Sequence, residues 1–397
     1  MSAAASPTIA IVLPPREGFG PRRARGIGLT VRHHALATDR ARTVVFGTRQ
    51  FGSVFDDVDF RLAHVLAFIP GPVLIRYTIG LLYALRRLRP SIVEVHGAPL
   101  IALWLQRLFP AVPVVLFLHD LPDAHRLTRL PAQRATLLAR TAKIVTQSDW
   151  LRDRFMAGVD THMRLPVVIP PCVDLANLPV SGLGLDATDL PMARRRTRLV
   201  LFAGRLIPEK GPREFVSACI AALPRLPGWR AEIVGAPEHA VKSPETAFSQ
   251  LIAAIAEPAS IALMGYRDHP DLMAAMARAA IVAIPTRAPE PSARVALEAM
   301  ANGAAVICPR EGAFPEIVGE AAVYADSANP ATFSNAIRLL GSDPRRLARL
   351  GEAGRARAAR FDLPRIGEQL DRMRADVLAG SGAAPRCLLS SARLPGS

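Results

Sequence analysis

A chain of 397 residues with 50% hydrophobic and 21% charged content is too long for one ordinary core and too apolar to be disordered; it suits two globular domains of roughly 150 to 200 residues each. The net charge of +15, carried by arginine far more than lysine, points to an anionic partner: nucleic acid, a membrane surface or a phosphorylated substrate. The four cysteines, Cys172, Cys219, Cys308 and Cys387, have no CxxC spacing and no histidine pair nearby, which indicates neither a zinc site nor a disulfide framework and fits a reducing, cytoplasmic compartment.

The N-terminus lacks a basic region followed by a long apolar core, and Ile9 to Leu13 reads as a first buried strand rather than a signal peptide. A glycine-rich turn runs from Pro14 to Gly28, with Gly18, Gly20, Gly26 and Gly28 among Arg16, Arg22, Arg23 and Arg25. Open α/β sheets bind ligands just past such a strand end. The dinucleotide fingerprint GxGxxG fails at Arg23, where the third glycine is needed for close helix packing, so no nicotinamide or flavin site is expected. The arginines suggest that an anionic group approaches here, although a solvated basic loop has the same composition.

Leu29 to Leu36 continues as a helix and Thr43 to Phe46 as a strand. Asp57-Val58-Asp59 matches the DxD pattern of metal-dependent sugar transferases, but so short an acidic match is too common to assign a metal. The most hydrophobic stretch, Leu62 to Leu88, is interrupted by Pro70-Gly71-Pro72 and Arg76 and falls short of the roughly 20 clean residues of a membrane helix. Surface attachment to a membrane stays open. After a helix over Val73 to Leu88, strand Ile92 to Gly97 ends at His96-Gly97, and strand Val114 to Leu118 ends at His119-Asp120. Both histidines should face the crevice at the strands' C-terminal ends. Strands Lys143 to Thr146, leading to Ser148, and Val167 to Ile169, leading to Pro170-Pro171-Cys172-Val173-Asp174, complete the first domain, 1 to 175. From 176 to 198 periodicity is lost and Pro, Gly, Asp and Arg accumulate, as in a linker.

Strand, turn and helix then begin again. Leu199 to Ala203 runs into Gly204-Arg205-Leu206-Ile207-Pro208-Glu209-Lys210-Gly211 and a helix whose first residue is Pro212. A helix N-terminus offers free N–H groups and partial positive charge, so Arg205 and Lys210 beside it would complete a diphosphate pocket. Further strands are expected at Ala231 to Val234, Ile261 to Leu263, Ile281 to Ile284, Ala305 to Ile307 and Val323-Tyr324, each separated by a helical pattern. That alternation makes a second doubly wound parallel sheet, with ligand in the cleft between the two. Domain two spans 199 to 360; a C-terminal helix follows at 361 to 379, and the small, polar tail 380 to 397 reads as disordered.

The second informative stretch is Pro285 to Gly303. Pro289 and Pro291 keep the chain extended at Glu290, which then stands in a loop at the sheet edge before a helix that starts near Ser292. Glu298 lies about two turns into that helix, and Asn302-Gly303 ends it. One carboxylate can meet a sugar hydroxyl and the other a ribose diol.

Phe202-Ala203-Gly204-Arg205-Leu206-Ile207-Pro208-Glu209-Lys210-Gly211, Glu290-x7-Glu298 and the following Ala304 to Ile307 resemble the retaining glycosyltransferases of family 4. The match extends through the Gly265-Tyr266 turn and the loop Gly312-Ala313-Phe314-Pro315-Glu316-Ile317-Val318; the N-terminal half resembles the family more weakly, at the glycine-rich first turn, His96-Gly97 and His119-Asp120. The resemblance implies a GT-B fold: two Rossmann-like domains facing a central cleft, the donor held mainly by the second. It implies that Arg205 and Lys210, with Gly204, bind the diphosphate and stabilise it as it leaves. Glu298 would hold the ribose, Tyr266 would sit in the base-side turn, and Glu290 would touch the transferred sugar, helped by amides around Gly312, Ala313 and Phe314. His119 would lie at the reacting centre, and the loop holding Gly18 and Gly20 would border the diphosphate or acceptor.

The donor is then a nucleotide-diphosphate sugar bound as substrate, with no cofactor and no metal, because positive side chains take the metal's place at the departing diphosphate. The acceptor would be a glycan or a lipid-linked glycan of the cell envelope, which suits a basic first domain resting on the anionic inner leaflet. Pro291-Ser292-Ala293 departs from the family's usual residues after the first glutamate and leaves the donor sugar open. Other GT-B chemistry, epimerisation or sugar-phosphate synthesis, would share the pocket. A nucleic-acid-binding role is disfavoured by the 6% aromatic content and the absence of a recognisable motif.

Overall fold

The computed structural model describes residues 6–50, 52–65, 72–178, 197–237 and 245–381. Most of the expected linker and nearly all of the expected tail lie outside these residues.

The first domain is built from β1 (Thr8–Val12), α1 (Gly26–Leu36), β2 (Arg42–Gly47), β3 (Phe60–Leu62), α2 (Val73–Leu88), β4 (Ile92–His96), α3 (Pro99–Leu108), β5 (Val114–Phe117), α4 (Pro131–Arg140), β6 (Lys143–Thr146), α5 (Asp149–Met156) and β7 (Val167–Val168). The strands pair in parallel in the order β3-β2-β1-β4-β5-β6-β7. Both faces are covered, so β1 and β4 read as unbroken apolar runs. The exception is Glu94 in the middle of β4, fully buried.

The second domain repeats the plan with β8 (Thr197–Ala203), α6 (Pro212–Ala222), β9 (Arg230–Val234), α7 (Ala247–Ala256), β10 (Ala262–Gly265), α8 (His269–Arg278), β11 (Ala279–Ala283), α9 (Arg294–Ala301), β12 (Ala305–Cys308), α10 (Phe314–Val318), β13 (Ala322–Tyr324), α11 (Pro330–Ser342) and α12 (Pro344–Ala358). Its parallel order is β10-β9-β8-β11-β12-β13. In both sheets the order reverses beside the first strand of the domain, which opens a crevice at the strands' C-terminal ends. The two crevices face each other.

Three expectations shift. Helix α9 starts at Arg294 rather than near Ser292, because Ala293 adopts a left-handed conformation (φ 48°) that holds the preceding turn open. Strand β10 runs two residues past Leu263 to Gly265. Strand β3 has too few residues for a visible alternation and forms on the edge of β2.

The last helix, α13 (Leu363–Ser381), follows the second domain in sequence yet packs on the first. Its Ile366, Leu370, Met373 and Val377 join Ile9, Ile11 and Val31 in one buried cluster. The same helix accounts for Glu94: Arg374 Nε and Nη2 donate to its two carboxylate oxygens at 2.7 and 2.9 Å, and both side chains are almost wholly buried. Removing one member of such a pair leaves a buried charge uncompensated. Arg374→Met should therefore cost about 3–5 kcal/mol in urea unfolding, and Glu94→Leu/Arg374→Met together should recover most of that loss.

Candidate functional site

The site begins with two loops that leave neighbouring strands. After β8, residues Pro208 to Lys210 make one 3-10 turn and Gly211 follows at φ 72°. A Cβ on Gly211 would lie 1.9 Å from the Pro285 carbonyl oxygen, so glycine is required both by conformation and by space. The close approach lets the loop after β11 hang its backbone on the first loop: Arg287 N and Thr286 Oγ1 both donate to the Glu209 carbonyl, at 2.9 and 2.8 Å. The stitched loops bring Lys210 Nζ into an ion pair with Glu290 Oε1. A third loop braces the same point. Ala313 N donates to the Glu290 carbonyl at 2.8 Å, and Gly312 is so close that a Cβ would stand 2.6 Å from the Glu290 backbone N and O.

Between the two sheets lies a cavity of about 520 Å³. Gly204, Arg205, Lys210, Tyr266, Glu290, Glu298 and Phe314 line it from the second domain, and His119 from the first. Four of the expected residues support the wall rather than line it. Gly312 and Ala313 are committed to the Glu290 backbone. Gly18 lies where the first loop folds on itself and Gly20 where it meets the loop after β2: a Cβ would stand 2.0 Å from the carbonyl of Arg23 or of Ser53, respectively. Glu17, Arg25 and Gly26 of that loop face the cavity instead.

Glu298 is buried on α9 and its Oε1 takes two donors, His269 Nε2 at 3.0 Å and Arg294 Nη1 at 3.5 Å. Burial pushes its carboxyl up, but His269 and Arg294 outweigh that and hold it below the usual glutamate range. Glu298 is thus ionised and oriented. His269, Arg294 and Asp120 were not expected in the site. Arg294 had a readable signal, since it stands four residues before Glu298 on one helix, and Asp120 directly follows the expected His119; His269 arrives from a separate element.

At the end of β5, His119 Nε2 meets His96 Nδ1 at 2.9 Å. His96 stacks on Phe117 at 4.3 Å between ring centroids, and His34 packs edge-on against His96. His33 Nδ1 lies 3.1 Å from the Cys172 carbonyl. Burial drives all four down, His119 to about 4 and His33 to about 3, so this layer is uncharged at neutral pH.

The DxD stretch is spent on arginines. Asp57 pairs with Arg32, and Asp59 with Arg42 and Arg61, all at the surface and away from the cavity.

The domains touch through named polar contacts. Ser148 Oγ donates to the Pro291 carbonyl at 2.8 Å, and Tyr266 Oη to the Arg22 carbonyl at 3.0 Å. Arg294 Nη2 donates to Thr30 Oγ1 at 2.6 Å. Glu316 accepts from the amides of Asp149 and Trp150, at 2.7 and 2.6 Å, capping α5 from the other domain.

Two family models match this chain: glycosyltransferase family 4 over residues 24–177 and glycosyl transferases group 1 over residues 193–357. D-inositol 3-phosphate glycosyltransferase of Segniliparus rotundus is 32% identical over 231 residues, 55% of this chain and 48% of the relative. Glycogen synthase of Mycobacterium tuberculosis is 33% identical over 193 residues, 46% of this chain and 44% of the relative. The chain spans about half the length of these curated relatives. Among solved structures, Anabaena HepE in complex with UDP and glucose superposes with a TM-score of 0.74 at 19% identity, covering 93% of this chain and 100% of HepE. That likeness establishes the GT-B fold.

The histidine layer predicts an acid sensitivity. Each of the four histidines stays neutral in the native state while the unfolded chain binds a proton near pH 6.5, so stability is full above that value and falls as pH drops toward 4. Glu17 and Glu316, pushed up by burial, act in the opposite sense. The net result expected between pH 6.5 and 5 is a loss of at least about 2 kcal/mol per pH unit, since each histidine contributes about 1.4. Denaturant unfolding at stepped pH measures it, and His33→Gln should lower the slope by about one proton.

Proposed function

Since the chain belongs to the group 1 and family 4 glycosyltransferases, we propose that it moves a hexose from a nucleotide-diphosphate sugar to an acceptor hydroxyl, with retention at the anomeric carbon. The observation that carries this reading is the grouping of two cations, Arg205 and Lys210, and two carboxylates, Glu290 and Glu298, around one interdomain cavity. The UDP and glucose held by HepE support a nucleotide sugar as the donor.

In this reading Glu298 accepts from the ribose hydroxyls and Glu290 from the hydroxyls of the transferred sugar. Arg205 and Lys210 meet the diphosphate. As the bond from the anomeric carbon to the phosphate oxygen breaks, negative charge grows on that oxygen, and cations already beside it lower the barrier without a metal ion. The acceptor oxygen bonds to the same face of the anomeric carbon and its proton passes to the departing phosphate. Neutral His119 presents a polar but uncharged wall beside the reacting centre, which does not compete with Lys210 for the phosphate.

The acceptor we infer is a glycan or a lipid-linked glycan of the cell envelope. Helix α2 supports a peripheral membrane contact: Tyr83 is 62% exposed, with the exposed Arg86 and Arg87 beside it, and Arg87 lies over the Tyr83 ring. No helix among the described residues is long and apolar enough to cross a membrane.

Sugar transfer from labelled UDP-, GDP- or ADP-sugars should be detectable, with the label in a glycan rather than in a free epimer or sugar phosphate. Lys210→Ala should lower kcat by at least about 100-fold, and Glu298→Gln should raise the donor KM more than it lowers kcat. Full activity in both variants, or label only in a small soluble product, would refute the reading.

A further inference from the structure

Residues 293 and 294 break two local rules side by side. Ala293 holds φ 48°, a left-handed conformation that an L-residue with a Cβ disfavours. Arg294 follows as the first residue of α9, which sets a guanidinium at the positive end of a helix dipole. Neither choice favours the helix, and such departures persist where the fold uses them elsewhere.

Arg294 is used on both sides of the cleft. Its side chain is 11% exposed. Nη2 donates across the domain boundary to Thr30 Oγ1 at 2.6 Å, while the Thr30 hydroxyl hydrogen is spent on the Gly26 carbonyl at 2.8 Å, leaving a lone pair for the arginine. Nη1 reaches Glu298 Oε1 at 3.5 Å, the oxygen that also takes His269. Both donors therefore converge on one oxygen and none among the described residues is recorded on Oε2. Ser148, Tyr266 and Glu316 also join the domains, but their recorded interdomain bonds do not engage Glu298. Thr30 stands on α1, and Gly26 and Ile27 at the start of that helix line the same cavity.

We propose that Arg294 is a positioning residue that couples occupation of the nucleoside side of the cavity to closure of the two domains. The proposal rests on the glycosyltransferase reading. A ribose bound on Oε2 fixes Glu298, the fixed carboxylate holds Nη1, and the guanidinium, a rigid plane, then presents Nη2 to Thr30. Donor binding in this way seats α1 against the second domain and shapes the acceptor side of the cavity. Reciprocity requires that loss of the Thr30 contact weaken nucleotide binding, although Thr30 is on the opposite domain.

The test is a double-mutant cycle on the full chain with Thr30→Val and Arg294→Met. UDP, GDP and ADP are titrated calorimetrically, and the interdomain distance is read from one spin label on each domain. For the preferred diphosphate, Thr30→Val should weaken binding about five-fold or more and abolish the narrowing of the distance distribution that the nucleotide causes in the parent protein. Thr30→Ser should restore both. Adding Thr30→Val to Arg294→Met should have little further effect, because the contact is already gone. Parent-like affinity in Thr30→Val, or effects of the two substitutions that multiply, would overturn the coupling. Thr30→Val retains the arginine and its carboxylate, so it tests the coupling even where Arg294→Met folds poorly. Failure of the unsubstituted protein to bind any of the three diphosphates would overturn the glycosyltransferase reading itself, before any variant is compared.

Discussion

The Lys210 and Glu290 side of the cavity depends on three strand-end loops being pressed together until only glycine fits between them. Gly211 against the Pro285 carbonyl, and Gly312 against the Glu290 backbone, leave no room for a Cβ. That closeness allows the Glu209 carbonyl to collect donors from the neighbouring loop and brings Lys210 to Glu290. Lys210 and Glu290 thus stand on loops that backbone hydrogen bonds fix at the ends of adjacent parallel strands. Rigid placement of this kind is what electrostatic stabilisation of a leaving group requires, since donors that must first reorganise lose most of their advantage.

The two halves of the cleft differ in electrostatic character. The second domain presents ionised groups: Arg205, Lys210, Glu290, and a Glu298 held charged by His269 and Arg294. The first presents His119 over a layer of His96, His34 and His33, all kept neutral by burial, beside Glu17, Arg25 and Asp120, which line the same cavity. A histidine patch that is polar yet uncharged can receive hydroxyl groups without itself drawing the diphosphate from the opposite side. The bridge from Arg294 to Thr30 ties the two halves together.

Much of this was legible in the sequence where the signal was local. Arg205 and Lys210 stand on a strand–turn–helix whose apolar run, glycines and Pro212 are contiguous, and Glu290 and Glu298 belong to one loop and its helix. The doubly wound plan followed from alternation of apolar strands with helical periodicity. What escaped notice depended on chain segments far apart. Helix α13 continues the second domain in sequence, and its return to the first rests on an apolar cluster and on the buried pairing of Arg374 with Glu94, 280 residues apart. His269 meets Glu298 from another helix, and no periodicity marks it. Gly18 and Gly20 carried a genuine signal of close packing whose meaning differed: they let the first loop fold on itself and against the loop after β2, while Glu17, Arg25 and Gly26 face the cavity. Two of the arginines that the DxD aspartates meet, Arg32 and Arg42, are likewise brought near by tertiary structure.

The central claim is that the Arg205 and Lys210 cations receive the diphosphate of a sugar nucleotide while Glu298 holds its ribose. A crystal structure of the protein with a bound nucleotide sugar tests it most directly. The claim predicts diphosphate oxygens within hydrogen-bond distance of Lys210 Nζ and the Arg205 guanidinium, and a ribose hydroxyl on Glu298. A nucleotide bound elsewhere, with Lys210 still paired to Glu290 and no phosphate between the domains, would contradict it.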